Sequence, residues 1–117
     1  MAEVTIYHNP ACGKSRGALA ILEQRRVSHA VVEYLKTPPD RATLERFLDL
    51  LPAPPADLVR KDKRFRELGL EAADYVTREQ VVRLLLAHPE LMERPVVVRG
   101  DRAVIARPSE KVLELLD

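Results

Sequence analysis

Apolar residues recur along the chain with two different periods, and the switches between them mark out the elements. Val4-Thr5-Ile6-Tyr7 alternates apolar and polar positions, the period-2 pattern of a strand with one buried face. Asn9-Pro10 ends it with a turn. Ala18, Leu19 and Leu22 then share one face of a helix. Arg25-Arg26 is expected in the last turn of that helix, where cations suit its dipole. His29 to Leu35 carries Val31, Val32 and Tyr34 and reads as a second strand, stopped by Thr37-Pro38-Pro39. Asp40 is placed to cap a helix in which Leu44, Phe47, Leu48 and Leu51 fall at i, i+3, i+4 and i+7. Pro52-Ala53-Pro54-Pro55 breaks it, and residues 56–76 hold no sustained period, only short helical turns. Thr77-Arg78-Glu79-Gln80 has the spacing of a capping box ahead of Val81, Val82, Leu84, Leu85 and Leu86, a helix that runs to His88-Pro89. Arg94-Pro95 leads into Val96-Val97-Val98, the continuous apolar run of a buried strand. Gly100-Asp101 is a hairpin turn, Ala103-Val104-Ile105-Ala106 the returning strand, and Pro108-Ser109 opens a last helix with Val112, Leu113, Leu115 and Leu116.

The predicted order is β-α-β, a helical insert, then β-β-α. The first unit should be parallel with a right-handed crossover and the last two strands an antiparallel hairpin, giving a mixed sheet in an α/β layer architecture. No repeat, linker or low-complexity stretch interrupts the pattern. Residues 1–117 therefore read as one domain with a helical insertion at about residues 40–90.

Composition narrows the function classes. At 46% hydrophobic residues the chain can bury a real core, while 32% charged residues and a net charge of +1 give no whole-chain argument for nucleic acid or a membrane surface. Three tyrosines, two phenylalanines and no tryptophan are too few for a base-stacking face. No apolar run approaches the roughly 20 residues of a membrane span, and Met1 to Ile6 lacks the basic-then-apolar pattern of a secretion signal. One unpaired cysteine with no such signal points to a reducing, cytoplasmic setting.

That cysteine, Cys12, lies in His8-Asn9-Pro10-Ala11-Cys12-Gly13-Lys14-Ser15-Arg16, between the first strand and the first helix. A lone cysteine is ordinarily a small buried hydrophobe. At a helix N-terminus the thiolate is favoured over the thiol, and the segment becomes a site for anionic chemistry. His8 offers a positive charge or a hydrogen bond, Asn9 shapes the turn, and Ser15 stands near the helix start, where its hydroxyl can also donate to a bound anion. Lys14 and Lys61 read as solvated, and His29 and His88 as structural at element edges.

The element order, a cysteine at the first strand–helix junction and Pro95 at the start of the third strand together resemble the thioredoxin-like arrangement, in which a cis-proline faces the cysteine. The resemblance sharpens along the chain: Ile6 to Gly13, Ser15-Arg16, Tyr34-Leu35, Pro38-Pro39, Leu58-Val59-Arg60-Lys61, Leu68-Gly69-Leu70, His88-Pro89, Arg94 to Val98 and Arg107-Pro108-Ser109-Glu110. In this order they are similar to the glutaredoxin-coupled arsenate reductases. That resemblance implies Cys12 as nucleophile assisted by His8, Arg60, Arg94 and Arg107 as oxyanion ligands, and Ser15, Asn9 and Pro95 in support. Guanidinium groups suit this task because they stay charged and present forked donors to tetrahedral oxyanions. The resemblance implies arsenate, glutathione and glutaredoxin as partners, and neither nucleic acid nor membrane. Glutathione would be a co-substrate; no tightly bound cofactor and no metal is expected. With a single cysteine, the two electrons for As(V) must come from external thiols. The count argues against thioredoxin-coupled reductases, which use several internal cysteines and an arginine six residues after the nucleophile; that position here is Ala18. Lys14 departs from the family, standing where several reductases carry a small hydroxyl residue. Two alternatives remain open. One is a redox-related transcriptional regulator that binds RNA polymerase, whose Cys-x-x-Cys switch cannot form because Ser15 holds the second position. The other is a general glutathione-dependent thiol oxidoreductase.

Overall fold

The computed structural model describes residues 3–116. Four strands form one mixed sheet in the order β2-β1-β3-β4. Strand β1 (Val4–His8) pairs in parallel with β2 (His29–Glu33) through helix α1 (Gly13–Gln24). On its other side β1 pairs antiparallel with β3 (Val96–Arg99), which forms a hairpin with β4 (Arg102–Ile105). The two-residue turn between β3 and β4 has Gly100 at φ +60°, a backbone that a first central hairpin position demands and an L side chain resists. Between β2 and β3 run helices α2 (Arg41–Leu50), α3 (Lys63–Glu67) and α4 (Arg78–Ala87). Short 3₁₀ turns at Pro55–Leu58, Ala72–Asp74 and Pro89–Leu91 join them. The mixed sheet with its helices is the thioredoxin-like α/β arrangement anticipated from the element order. Among the described residues no helix is long and apolar enough to cross a membrane.

Period-2 alternation sends successive side chains of the sheet into two different cores. Val4 and Ile6 of β1, Val97 and Val104 join Ala18 and Leu22 of α1 and Val112 and Leu115 on one face. Val96 and Ala103 face the opposite core, where Leu44 and Phe47 of α2 meet Val81, Val82 and Leu85 of α4. Tyr7 reaches into this second core and meets the Phe47 ring edge-on, with centroids 4.7 Å apart. Both anticipated caps form: the Asp40 side chain accepts the Thr43 N–H at 2.9 Å, and Thr77 and Gln80 make a reciprocal capping box.

Four expectations are corrected. Arg25-Arg26 does not lie in the last turn of α1: Arg25 is the C-cap and Arg26 follows at φ +55°. There Arg26 N–H bonds to Glu23 O and Val27 N–H to Leu22 O, the paired closure of a Schellman motif, usually built with glycine. Strand β2 stops at Glu33 rather than Leu35, because its partner β1 ends at His8, opposite Glu33. Strand β4 is one residue earlier than its apolar run, since Arg102 pairs with Arg99 across the turn. The final segment, Ser109–Leu115, is a 3₁₀ helix, not an α-helix.

Candidate active site

Cys12 sits at the N-cap of α1 in extended conformation, after a turn in which Asn9 Oδ1 accepts the Ala11 N–H at 3.0 Å and Asn9 O accepts the Cys12 N–H at 3.0 Å. Its residue surface is 9% exposed, so the sulfur is mostly covered yet reachable. Burial pushes the thiol up; against this act the Ser15 N–H, the Arg94 guanidinium and the Lys14 N–H, and together they hold it below its ordinary value. The free N–H groups of the first helical turn thus point at the sulfur, as a helix start before an anion requires.

Arg107 Nη1 lies 3.7 Å from Cys12 Sγ and donates to Arg94 O at 3.1 Å. Arg94 and Arg107 flank the same end of the β3–β4 hairpin. The Ala106 N–H bonds to Pro95 O, which extends the ladder one step past Val96 and Ile105. Each arginine precedes a cis proline, Pro95 or Pro108. Cys12, Arg94 and Arg107 line one open cleft of about 570 Å³ with Lys14, Pro108 and Ser109. Arg94 Nε is buried with no hydrogen-bond partner among the described residues, a donor left for an acceptor.

Arg60 joins the set indirectly. An isolated bridge between Val59 and Met92, with Arg60 N–H on Leu91 O and Glu93 N–H on Leu58 O (each 2.7 Å), holds its loop against the segment entering β3. Arg60 Nε then stands 3.8 Å from Glu93 Oε1, and Arg60 Nη2 stands 3.4 Å from Asp62 Oδ2. Arg107 Nε is 3.6 Å from the same Glu93 oxygen. Arg94 and Arg107 therefore face the thiol directly, and Arg60 is linked to them through a shared carboxylate.

His8 is 6% exposed, and its Nδ1 is hydrogen-bonded to Ser15 Oγ at 2.6 Å. Burial is the main influence on this ring and lowers its pKa, so at neutral pH His8 contributes a hydrogen bond and no charge. Ser15 Oγ also accepts the Asn9 N–H at 3.0 Å. The Ser15 oxygen thus ties the loop together at His8 and Asn9, and the Ser15 backbone N–H is what acts on Cys12. Lys14 is exposed, and its carbonyl accepts the Ser109 hydroxyl at 2.7 Å.

Sequence reasoning missed two residues at this site. Glu93 accepts the Arg94 N–H at 3.3 Å besides facing Arg60 and Arg107; burial is the main influence on its carboxyl and raises it despite Arg107. Tyr34 is 1% exposed, and its hydroxyl meets the Asn9 side chain beside Arg94; burial dominates and raises the phenol. Neither carries a local signal, although Tyr34 lies within one of the matched motifs.

Known proteins resemble this chain along nearly its whole length. An arsenate reductase of Neisseria meningitidis serogroup A is 39% identical over 118 residues, covering 99% of this chain and 100% of its own. The Escherichia coli K12 protein YfgD, whose name assigns no activity, is 43% identical over 116 residues, 97% of each chain. The structure of an arsenate reductase from Vibrio cholerae superposes with a TM-score of 0.86 at 36% identity, over 97% of each chain. The profile of the ArsC family matches residues 7–115, and with relatives this close along the whole length, the chain belongs to the ArsC family.

Proposed function

We propose that this chain is an arsenate reductase in which the Cys12 thiolate attacks arsenate and external thiols supply the electrons. The observation that carries the reading is the pair of guanidinium groups on one thiol, with Arg107 Nη1 3.7 Å from Sγ and Arg94 beside it at the start of α1. A thiolate attacking an anion meets like-charge repulsion, and two arginines plus a helix N-terminus offset it.

In the first step Cys12 Sγ bonds to arsenic and a protonated arsenate oxygen leaves as water or hydroxide. Glutathione then adds to the arsenic with loss of a second oxygen as water. A glutaredoxin thiolate takes the glutathione sulfur as a mixed disulfide. The electron pair of the broken S–As bond stays on arsenic, which becomes As(III). Hydrolysis of the Cys12–arsenic bond releases arsenite and restores the thiol. The two electrons come from the two external thiols, in keeping with a chain whose one cysteine has no internal partner. A reducing cytoplasm supplies such thiols, and the reading requires no bound cofactor.

Coupled arsenate reduction with glutathione and glutaredoxin tests this directly. The Cys12→Ser variant is expected to fall to the uncatalysed background, since no other group replaces the sulfur. Retained turnover in that variant would overturn the mechanism. Turnover of glutathionylated substrates with no dependence on arsenate would establish a general thiol oxidoreductase instead.

A further inference from the structure

A carboxylate at the centre of an arginine cluster is unexpected in a site built to attract anions. Glu93 Oε1 stands 3.8 Å from Arg60 Nε and 3.6 Å from Arg107 Nε, with the Arg94 N–H at 3.3 Å. Its side chain is 23% exposed, and the bridge between Val59 and Met92 fixes its backbone, so it does not simply swing into solvent. An ionised carboxylate offers acceptors only. Next to an oxyanion oxygen it is repulsive unless a proton lies between the two. Arsenate and phosphate carry such a proton near neutral pH, whereas sulfate is fully ionised.

We propose that Glu93 is the specificity-determining residue of the oxyanion site. Its carboxylate accepts a hydrogen bond from the hydroxyl of a protonated tetrahedral oxyanion bound between Arg60 and Arg107, and so excludes fully ionised oxyanions such as sulfate. The inference rests on reading the cleft at Cys12 as an oxyanion site, but not on any redox step. Arg107 lines both the cleft at Cys12 and the adjoining cavity that holds Glu93, and Arg94 Nε has no partner among the described residues, so donors are plentiful there. Carboxylate acceptors are fewer, Glu110 on the cleft wall and Glu93 behind Arg107, and Glu93 is the one that ion-pairs with both Arg60 and Arg107; discrimination follows from what the wrong ligand leaves unpaired.

The probe is protection of Cys12 from iodoacetamide by inorganic phosphate or sulfate, at neutral pH and constant ionic strength. In the wild type, phosphate should half-protect at a concentration at least about tenfold below that of sulfate. In Glu93→Gln, whose amide can donate, sulfate should protect at least about tenfold better than in the wild type, while phosphate changes by less than about threefold. Equal gains for both anions would reduce Glu93 to a charge shield, and an unchanged ratio would remove it from the site; either result overturns the proposal. If neither anion protects either protein, the oxyanion reading falls with it. If phosphate protects selectively but arsenate is not reduced, only the reductase reading fails.

A wild-type pH series gives an independent reading that needs no variant. Sulfate protection should strengthen as pH falls and Glu93 gains a proton to donate; a flat or weakening profile would overturn the proposal. The charged or titratable groups facing Glu93 are Arg60, Lys61 and Asp62 on one side and Arg94, Arg107 and Tyr34 on the other. Tyr34, its phenol raised by burial, stays neutral in acid. In a folded Glu93→Gln protein the slope should be shallower than in the wild type; an equal slope would make the Cys12 thiolate, which also repels the anion, its source, and the proposal fails.

Discussion

Replacing Arg107 by glutamine removes the charge that Arg107 places on Cys12. Glutamine stays polar but ends two bonds short of Nη1, so it gives up the 3.1 Å bond to Arg94 O along with the positive charge at the sulfur. Two unit charges 3.7 Å apart, the Nη1–Sγ separation, attract by about 1 kcal/mol in a water-like medium and about 4 kcal/mol at the effective dielectric of a protein surface. The Arg107 side chain is 32% exposed and the thiol is nearly covered, so the loss falls between those limits. Even the lower limit cuts the thiolate fraction about fivefold wherever the thiol is mostly protonated. The assay is the rate of iodoacetamide alkylation across a pH series. Below the titration midpoint the variant should react at least about fivefold more slowly, with the midpoint moved up. At high pH the two proteins should converge, or the variant should lead slightly, because a less stabilised thiolate is the better nucleophile. Arg25→Gln, at the far end of α1, serves as the control for net charge and should leave the profile in place. An unmoved midpoint in Arg107→Gln would refute the electrostatic account. So would an equal slowing at every pH, which would mean altered access rather than altered charge.

Two further outcomes follow from packing and from burial. A Cβ added at Gly17 would lie 2.5 Å from Ser109 Oγ and 3.1 Å from Ser109 Cβ, where α1 meets the final 3₁₀ helix. Gly17→Ala should therefore cost about 1–3 kcal/mol by overpacking, more than its gain in helix propensity, and Ser109→Gly should restore part of that loss. Urea unfolding measures both, and a Gly17→Ala protein more stable than wild type would contradict the close approach. His8 is held neutral by burial, so the unfolded chain takes up its proton at a higher pH than the folded one. Its contribution is intact above about pH 6.5 and is lost as pH falls through the lowered native value. His8→Gln should accordingly flatten the fall in thermal stability across that acidic range, whereas an unchanged slope would show that His8 ionises freely in the fold.

What was legible in the sequence was mainly local. The caps at Asp40 and Thr77 follow from a side chain and a backbone N–H three residues away, and both formed as expected. The strand at His29 was overextended because its end is set by where β1 stops, not by its own residues. Arg26 takes a left-handed backbone at a position where glycine is the usual signal, so the α1 terminus could not be read from composition. Seven residues of apolar periodicity do not separate a 3₁₀ from an α-helix, which accounts for the final segment. Arg60, Arg94 and Arg107 were found through motif resemblance, since no spacing rule joins residues so far apart. Glu93 had no such help: an acid before Arg-Pro reads as a solvated residue until the bridge at Val59 brings Arg60 beside it.

Sheet topology supplies what the spacing could not. Strand β3 runs antiparallel to both β1 and β4, so the start of β3 shares one sheet end with the ends of β1 and β4. That places Arg94 before β3, Arg107 after β4 and Cys12 after β1 in one cleft, although Arg107 and Cys12 are 95 residues apart in sequence. Arg60 and Glu93 arrive by a different route, pinned together by the Val59–Met92 bridge at the edge of the insert. The site thus has two separable parts: a thiolate stabilised by the sheet end, and an arginine–carboxylate pair set by the insert. Substitutions at Arg94 or Arg107 should act first on thiol reactivity, and substitutions at Glu93 first on which anion binds. Those two responses need not track one another, because the backbone contacts that hold the two parts are different.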